Sequence, residues 1–232
     1  MSEANQASKS AYYPAFLDVG GVRCVVVGGG SVAARKVRAL VEAGASVTVV
    51  SPCVCGEIEA MAAEGGGVEC RRKPFEPKEL EGAFLVVAAT DDAAVNEAVG
   101  REARARGVLV NVVDQPTLST FIVPATVSRG RLQVAISTGG ASPAFAKRLR
   151  ERLEGQLSPG LAAYLDAMAD ARALVLAEVA DPRGRARIFE ELASDEFVAR
   201  CLEAEPAAAG AMVLERAREL IARGEAAQEE SR

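Results

Sequence analysis

The sequence predicts an α/β fold: a parallel sheet in the N-terminal half, then a small β segment, then a helical C-terminal domain. Three observations predict it. Short apolar runs alternate with helical patterns from Arg23 to Val113, two strand-like runs joined by a polar turn follow, and only helical pattern remains after Pro143. Repeated strand–helix–strand units force parallel pairing, because each crossover returns the chain to the same end of the sheet.

Arg23 to Val27 (RCVVV) reads as a fully buried strand bounded by glycines. Ser31 to Glu42 has near-helical apolar spacing at Val32, Val37, Leu40 and Val41 and stops at Gly44. Ala45 to Val50 is a second strand, Glu57 to Ala63 a short helix and Val68 to Arg71 a short strand. Phe84 to Ala89 is a strong strand, Asp92 to Arg106 a helix ended by Gly107, and Val108 to Val113 the next strand. Phe121 to Val127 and Leu132 to Ser137 then form a hairpin across Ser128-Arg129-Gly130-Arg131. Helical breaks are expected near Ser158-Pro159-Gly160, Asp181-Pro182 and Glu205-Pro206, with a frayed polar tail beyond Gly224. The expected domains are residues 1–113, 114–142 and 143–232.

Composition narrows the function classes. A chain of 232 residues that is 50% hydrophobic and 25% charged is an ordinary globular protein. A net charge of −5 argues against nucleic acid as the partner of the whole molecule. No apolar run is long enough to cross a bilayer, and Met1 to Ala11 lacks the apolar core of a signal peptide, so a cytoplasmic protein is expected. Five irregularly spaced cysteines fit a reducing compartment; Cys53 and Cys55 are one residue apart, too close for a zinc knuckle, and no metal site is expected. Histidine is absent, which removes His-based triads and the commonest general base.

The strongest motif is Gly28-Gly29-Gly30-Ser31-Val32-Ala33, a G-x-G-x-x-A run between a buried strand and a helix. Gly28 permits the tight turn, Gly30 lets the backbone approach a pyrophosphate, and Ala33 allows close helix–strand packing. Free N–H groups at the helix start would face the anion. These are the marks of a Rossmann-type dinucleotide site. The acid that usually grips the adenosine ribose is missing, for the second strand ends in Val50-Ser51-Pro52. Ser51 discriminates NAD from NADP poorly, and Arg71-Arg72-Lys73 could meet a 2′-phosphate or simply be a solvated strand end.

A second motif is Asn111-Val112-Val113-Asp114-Gln115-Pro116. Asp114 stands at the carboxyl end of a strand, the edge where open α/β sheets bind ligands, so it is a candidate for proton transfer, with a turn carboxylate as the plain alternative. The third is Ser137-Thr138-Gly139-Gly140-Ala141-Ser142-Pro143, a capped helix start that could also form an anion pocket. Arg129, Arg131, Lys147, Arg148, Arg150 and Arg152 follow with one acid between them, Glu151; they either steer a polyanion or form a solvated face.

In this order and spacing the motifs resemble the precorrin-2 dehydrogenase and sirohydrochlorin ferrochelatase family, the N-terminal module of siroheme synthases. The matching stretches are GGGSVAARK (28–36), ASVTVVSP (45–52), AATDD (88–92), NVVDQP (111–116), FIVPA (121–125) and STGGASPAFAKRLRERLE (137–154). The resemblance implies NAD-dependent oxidation of precorrin-2 to sirohydrochlorin and, in some members, insertion of ferrous ion as a substrate. It implies a homodimer formed through the β segment, with the helices helping to close the tetrapyrrole cleft. By position, Ser31 and Val32 would touch the NAD phosphates, Pro52 and Cys53 would lie by the adenosine, and Asn111 and Asp114 would face the tetrapyrrole. Thr138 falls where multidomain relatives carry serine, and Arg129 and Lys147 would hold substrate carboxylates. The methyltransferase that such relatives append is expected from another protein. A regulatory Rossmann module that senses NAD is the rival expectation; it accounts for Gly28 to Ala33 but not for Asp114 followed by a basic, glycine-rich segment.

Overall fold

Five parallel strands in the order β3-β2-β1-β4-β5 form the sheet of the N-terminal half. They are β1 (Arg23–Val27), β2 (Ser46–Val50), β3 (Val68–Arg71), β4 (Leu85–Ala88) and β5 (Leu109–Val112). The computed structural model describes residues 12–229, and the signal-peptide expectation for Met1 to Ala11 lies outside them. β1 is central, with Val27 opposite Val50 of β2 and Ala88 of β4. All three carboxyl ends therefore stop at one level.

Alternation along the strands builds two cores. Cys24, Val26, Val47, Val49, Leu85 and Val87 face α1 (Ser31–Glu42) and α2 (Gly56–Ala63), meeting Ala33, Ala34, Val37 and Ile58. Val25, Val27, Val86, Ala88, Val110 and Val112 face the other way, against Val99 and Ala103 of α3 (Ala93–Arg106). Burial on both faces explains why these strands read as unbroken apolar runs. Each fully buried valine contributes roughly 1.5–3 kcal/mol over an exposed one. Asp92 caps α3 by accepting from the N–H groups of Ala94 and Val95, and Gly107 ends it in the left-handed region at φ 70.

The chain divides into two compact units, up to Val123 and from Pro124 onward. In the second unit β6 (Ala125–Arg129) and β7 (Leu132–Ile136) form an antiparallel pair whose register puts Arg129 opposite Leu132, leaving Gly130-Arg131 as the turn. The pair packs against α4 (Pro143–Gln156), and α5 (Gly160–Glu178), α6 (Pro182–Leu192), α7 (Asp195–Glu203) and α8 (Pro206–Glu229) complete the unit. Tyr164, Ala167, Ala171 and Val175 of α5 meet Ala209, Val213, Ala217 and Ile221 of α8. Small residues at helical spacing let the two axes approach closely.

Three boundaries depart from expectation by more than a residue. β6 starts at Ala125 rather than Phe121, because the N–H groups of Thr120 and Phe121 donate to the Val110 carbonyl and Pro124 has no N–H to give a ladder. An unexpected break at Ser194 separates α6 from α7. The helix α8 continues past Gly224 to Glu229, through residues that favour helix, and the last three residues of the chain lie outside the described ones.

Candidate functional site: a cleft at the carboxyl edge of the sheet

The ends of β1, β2, β4 and β5 surround a cleft of about 800 Å³ within the first unit. Gly28, Gly29, Gly30, Ser31 and Val32 line one side, Ser51, Pro52 and Cys53 a second, and Thr90, Asp91, Asp92, Val113 and Asp114 the rest of the lip.

Each glycine of the loop has its own steric reason. Gly28 sits at φ 124, and a side chain there would place its first carbon 2.7 Å from the carbonyl carbon of Ala89. Gly29 presses on the neighbouring loop: its added carbon would overlap the Cys53 carbonyl and lie 2.9 Å from the Ser51 hydroxyl. Gly30 has nothing within 4 Å of that position, so the space beside it is free for a ligand. The loop is tied down by bonds from the Gly28 N–H to the Val50 carbonyl at 3.0 Å and from the Cys55 N–H to the Gly29 carbonyl at 2.8 Å.

Gly30 is also the N-cap of α1, and no side chain caps that helix start. The first N–H groups of α1 therefore point into the cleft unclaimed, and the helix dipole favours an anion there. Ala33 is fully buried against the sheet and does not line the cleft; it supplies the close helix–strand packing. The residues present thus fit a dinucleotide: an open glycine, free donors and a cleft of adequate size.

At the ribose side, the Ser51 hydroxyl donates to the Cys53 carbonyl at 2.7 Å. The basic triplet is already matched by acids. Arg71 pairs with Glu69 and Glu79 at 2.9 and 2.7 Å, Arg72 with Glu59 at 2.6 Å, and Lys73 with Glu76 and Glu79 at 3.0 and 2.5 Å. Glu79 is buried, and bonding first to Lys73 and then to Arg71 holds its carboxyl below the usual range. Arg71 and Lys73 form an ion-pair network around Glu79, and Arg72 pairs separately with Glu59.

Asp114 follows β5 at φ 59, the sole non-glycine residue with positive φ among the described residues. Aspartate tolerates this left-handed region better than most side chains, and strained backbone clusters at functional positions. The Gln115 N–H donates to the Val112 carbonyl at 3.1 Å, closing the turn that sets Asp114 on the lip. Asn111 is half-buried below it; its amide nitrogen donates to the Phe121 carbonyl at 3.2 Å, and it does not line the cleft. The remaining expected site residues belong to the second unit. Thr138 Oγ1 accepts from the Ser142 N–H at 3.0 Å, and Arg129 donates to the Glu154 carbonyl at 3.5 Å while its Nε is buried without an acceptor. Lys147 is exposed, 3.9 Å from Glu151.

AATDD (88–92) is among the matching stretches, yet no site residue is expected from the sequence there, at the exit of β4. Thr90 and Asn96 bond reciprocally, hydroxyl to amide oxygen at 2.8 Å and amide nitrogen to carbonyl at 2.9 Å, and this pins Thr90, Asp91 and Asp92 to the cleft. The same rule that singled out Asp114, a polar residue at a strand's carboxyl end, finds them.

A parallel five-stranded sheet with a glycine loop at its central strand defines an NAD(P)-binding Rossmann protein. The NAD(P)-binding family model matches residues 15–125, and the model for the central part of sirohaem biosynthesis proteins matches residues 129–156. The siroheme synthase of Methylobacillus flagellatus is 53% identical over 141 residues, 61% of this chain and 30% of that protein. The siroheme synthase of Chromobacterium violaceum is 40% identical over 200 residues, 86% of this chain and 42% of that protein. The solved structure of SirC, a precorrin-2 dehydrogenase, superposes with a TM-score of 0.74 at 29% identity, covering 90% of this chain and 100% of that one. The chain belongs to the family of precorrin-2 dehydrogenases and siroheme synthases. It spans less than half the length of the curated siroheme synthases it matches. Every residue lining the cleft lies within the stretch that the NAD(P)-binding model matches. Among the described residues no helix is long and apolar enough to cross a membrane.

Proposed function

We propose that this chain oxidises precorrin-2 to sirohydrochlorin with NAD, as a cytoplasmic homodimer associated through β6 and β7. The observation that carries the reading is a carboxylate, Asp114, held by left-handed backbone on the lip of the cleft that also contains the glycine loop. The names of the relatives support the substrate class, and the absence of histidine leaves a carboxylate to do the acid–base work.

The N–H groups of Ser31 and Val32 hold the pyrophosphate, and Ser51, Pro52 and Cys53 flank the adenosine. Bound NAD supplies an acceptor for the hydride that the substrate loses. Asp114, exposed on the lip, takes the proton lost with it, so substrate loses one hydride and one proton in all. For holding the substrate we propose Asn111 in the first unit and, taken by themselves, Thr138, Arg129 and Lys147 in the second. Thr138 keeps a hydroxyl proton to donate, and the two cations match a polycarboxylate. Because the relatives are named siroheme synthases, we assign a second activity to the same carboxylate: it removes pyrrole protons as ferrous ion enters sirohydrochlorin.

Anaerobic incubation with precorrin-2 and NAD tests the reading. NADH and sirohydrochlorin should form together, and ferrous ion added afterwards should yield siroheme faster than without protein. NAD binding with no NADH formed would favour the sensor reading instead.

A further inference from the structure

The glycine loop follows the central strand, so a dinucleotide whose pyrophosphate rests there sends one nucleoside toward each edge of the sheet. Asp114 follows β5, and the reacting ring belongs on that side. The other nucleoside falls toward β2 and β3. Val50 at the end of β2 pairs with Arg71 at the end of β3, and the Ser51 N–H donates to the Arg71 carbonyl at 3.2 Å. The two strand exits are thus neighbours. Ser51, Pro52 and Cys53 follow the first, Pro74 and Phe75 follow the second, and all five line the one cleft.

Phe75 is the sole aromatic side chain among the described residues that line the cleft. It is half-buried, packed against the apolar cluster that holds Val27, Val50 and Leu80. The segment that carries it is braced on both sides. Lys73, two residues before the ring, bonds Glu76, the residue after it, at 3.0 Å and the buried Glu79 at 2.5 Å. Arg71 holds the other oxygen of Glu79 at 2.7 Å, and the Glu79 N–H donates to the Glu76 carbonyl at 2.9 Å. Pro74 and Pro77 fix φ on either side. A ring held in this way loses little freedom when a ligand packs on it.

Resting on the reading of this cleft as the NAD site, we propose that Phe75 is the platform on which the adenine of NAD stacks, positioned by the clamp of Lys73 on Glu76 and Glu79. Stacking recognises the flat face of the base and needs no free polar group, which suits an edge where the Ser51 hydroxyl already donates to the Cys53 carbonyl. It also gives the ion-pair network around Glu79 a task other than meeting a 2′-phosphate.

Calorimetric titration with NAD on Phe75→Ala, Phe75→Leu and Phe75→Tyr tests the assignment, with thermal unfolding alongside. Phe75→Ala should raise the Kd for NAD about 10- to 100-fold. Phe75→Leu keeps apolar bulk against Val27 and Val50 without the π face, so it should stay folded and still lose most of that affinity. Phe75→Tyr should bind as the parent does, and Lys73→Met should weaken binding by less than Phe75→Ala. At saturating NAD the kcat of each variant should match the parent's. An unchanged Kd in folded Phe75→Ala or Phe75→Leu overturns the platform. So does a loss in Phe75→Tyr as large as in Phe75→Ala, or a lowered kcat at unchanged Kd. Gly30→Val separates the two ideas. If it binds NAD like the parent, the cleft is not the NAD site and both fail; if it abolishes binding while Phe75→Ala and Phe75→Leu bind normally, the platform alone fails.

Discussion

Residues 28–33 and residues 137–143 both bring glycines to a helix N-terminus, yet they leave different groups there. At the first, no side chain caps α1, and the loop's glycines are packed against backbone or open toward a cleft. At the second, the Ser142 hydroxyl accepts from the Phe145 N–H at 3.2 Å, and Thr138 accepts from Ser142. Ser137 accepts from the Gly139 N–H at 3.1 Å, and Pro143 has no N–H to offer. Gly139 and Gly140 serve backbone geometry, at φ 60 and 84, with nothing within 4 Å of an added carbon. A glycine-rich helix start is an anion site when its donors are still free, and a capped turn when side chains have claimed them. The two segments look alike as strings and differ in that one respect.

The largest expected effect tests what the first site is for. Asp114→Asn keeps the shape and suits left-handed backbone, but cannot accept a proton at neutral pH. Precorrin-2 turnover should fall by about 10²–10⁴-fold while NAD still binds. Initial rates and NAD titration on the one variant decide it, and near-normal turnover would reduce Asp114 to a turn residue.

Smaller changes separate the glycines. Gly29→Ala drives a methyl into the Cys53 carbonyl, so thermal or urea unfolding should show a loss of about 3 kcal/mol. Gly30→Val puts its first side-chain carbon where no atom lies within 4 Å: its stability should hold while NAD binding is abolished, because the branched side chain fills the pyrophosphate's path. Gly140→Ala should cost only about 1 kcal/mol, from positive φ alone, with NAD affinity intact. If Gly29→Ala were as mild as Gly140→Ala, the tight seat of the first loop would be wrong.

How much of this was legible in the sequence follows from where each signal resides. β1, β2 and β4 read clearly because burial on both faces makes them valine-rich runs, and the glycine loop read clearly because spacing and position agree. Asp114 was found by the sheet-edge rule, but its left-handed backbone was not, since nothing in Val113-Asp114-Gln115 demands it. The break at Ser194 lacks glycine and proline, so local chemistry did not announce it, and the competition of Arg71, Arg72 and Lys73 for nearby acids is a tertiary fact that no triplet can reveal.

The smallest effect is the sharpest test of the contrast between the two helix starts. Ser142→Ala removes the oxygen that receives the Phe145 N–H and leaves that donor to water, without altering the backbone or the glycines before it. Loss of such a cap costs about 1 kcal/mol, and for a protein of this size lowers the Tm by about 2–4 °C. Tetrapyrrole and NAD affinities should stay within error, because the hydroxyl serves the helix and not a ligand. The α1 start has no counterpart to this variant, as there is no cap to remove. A Ser142→Ala protein with parental Tm but weakened tetrapyrrole binding would show that the N–H groups at the start of α4 hold an anion after all. The distinction between claimed and free donors would then have to be redrawn around the substrate.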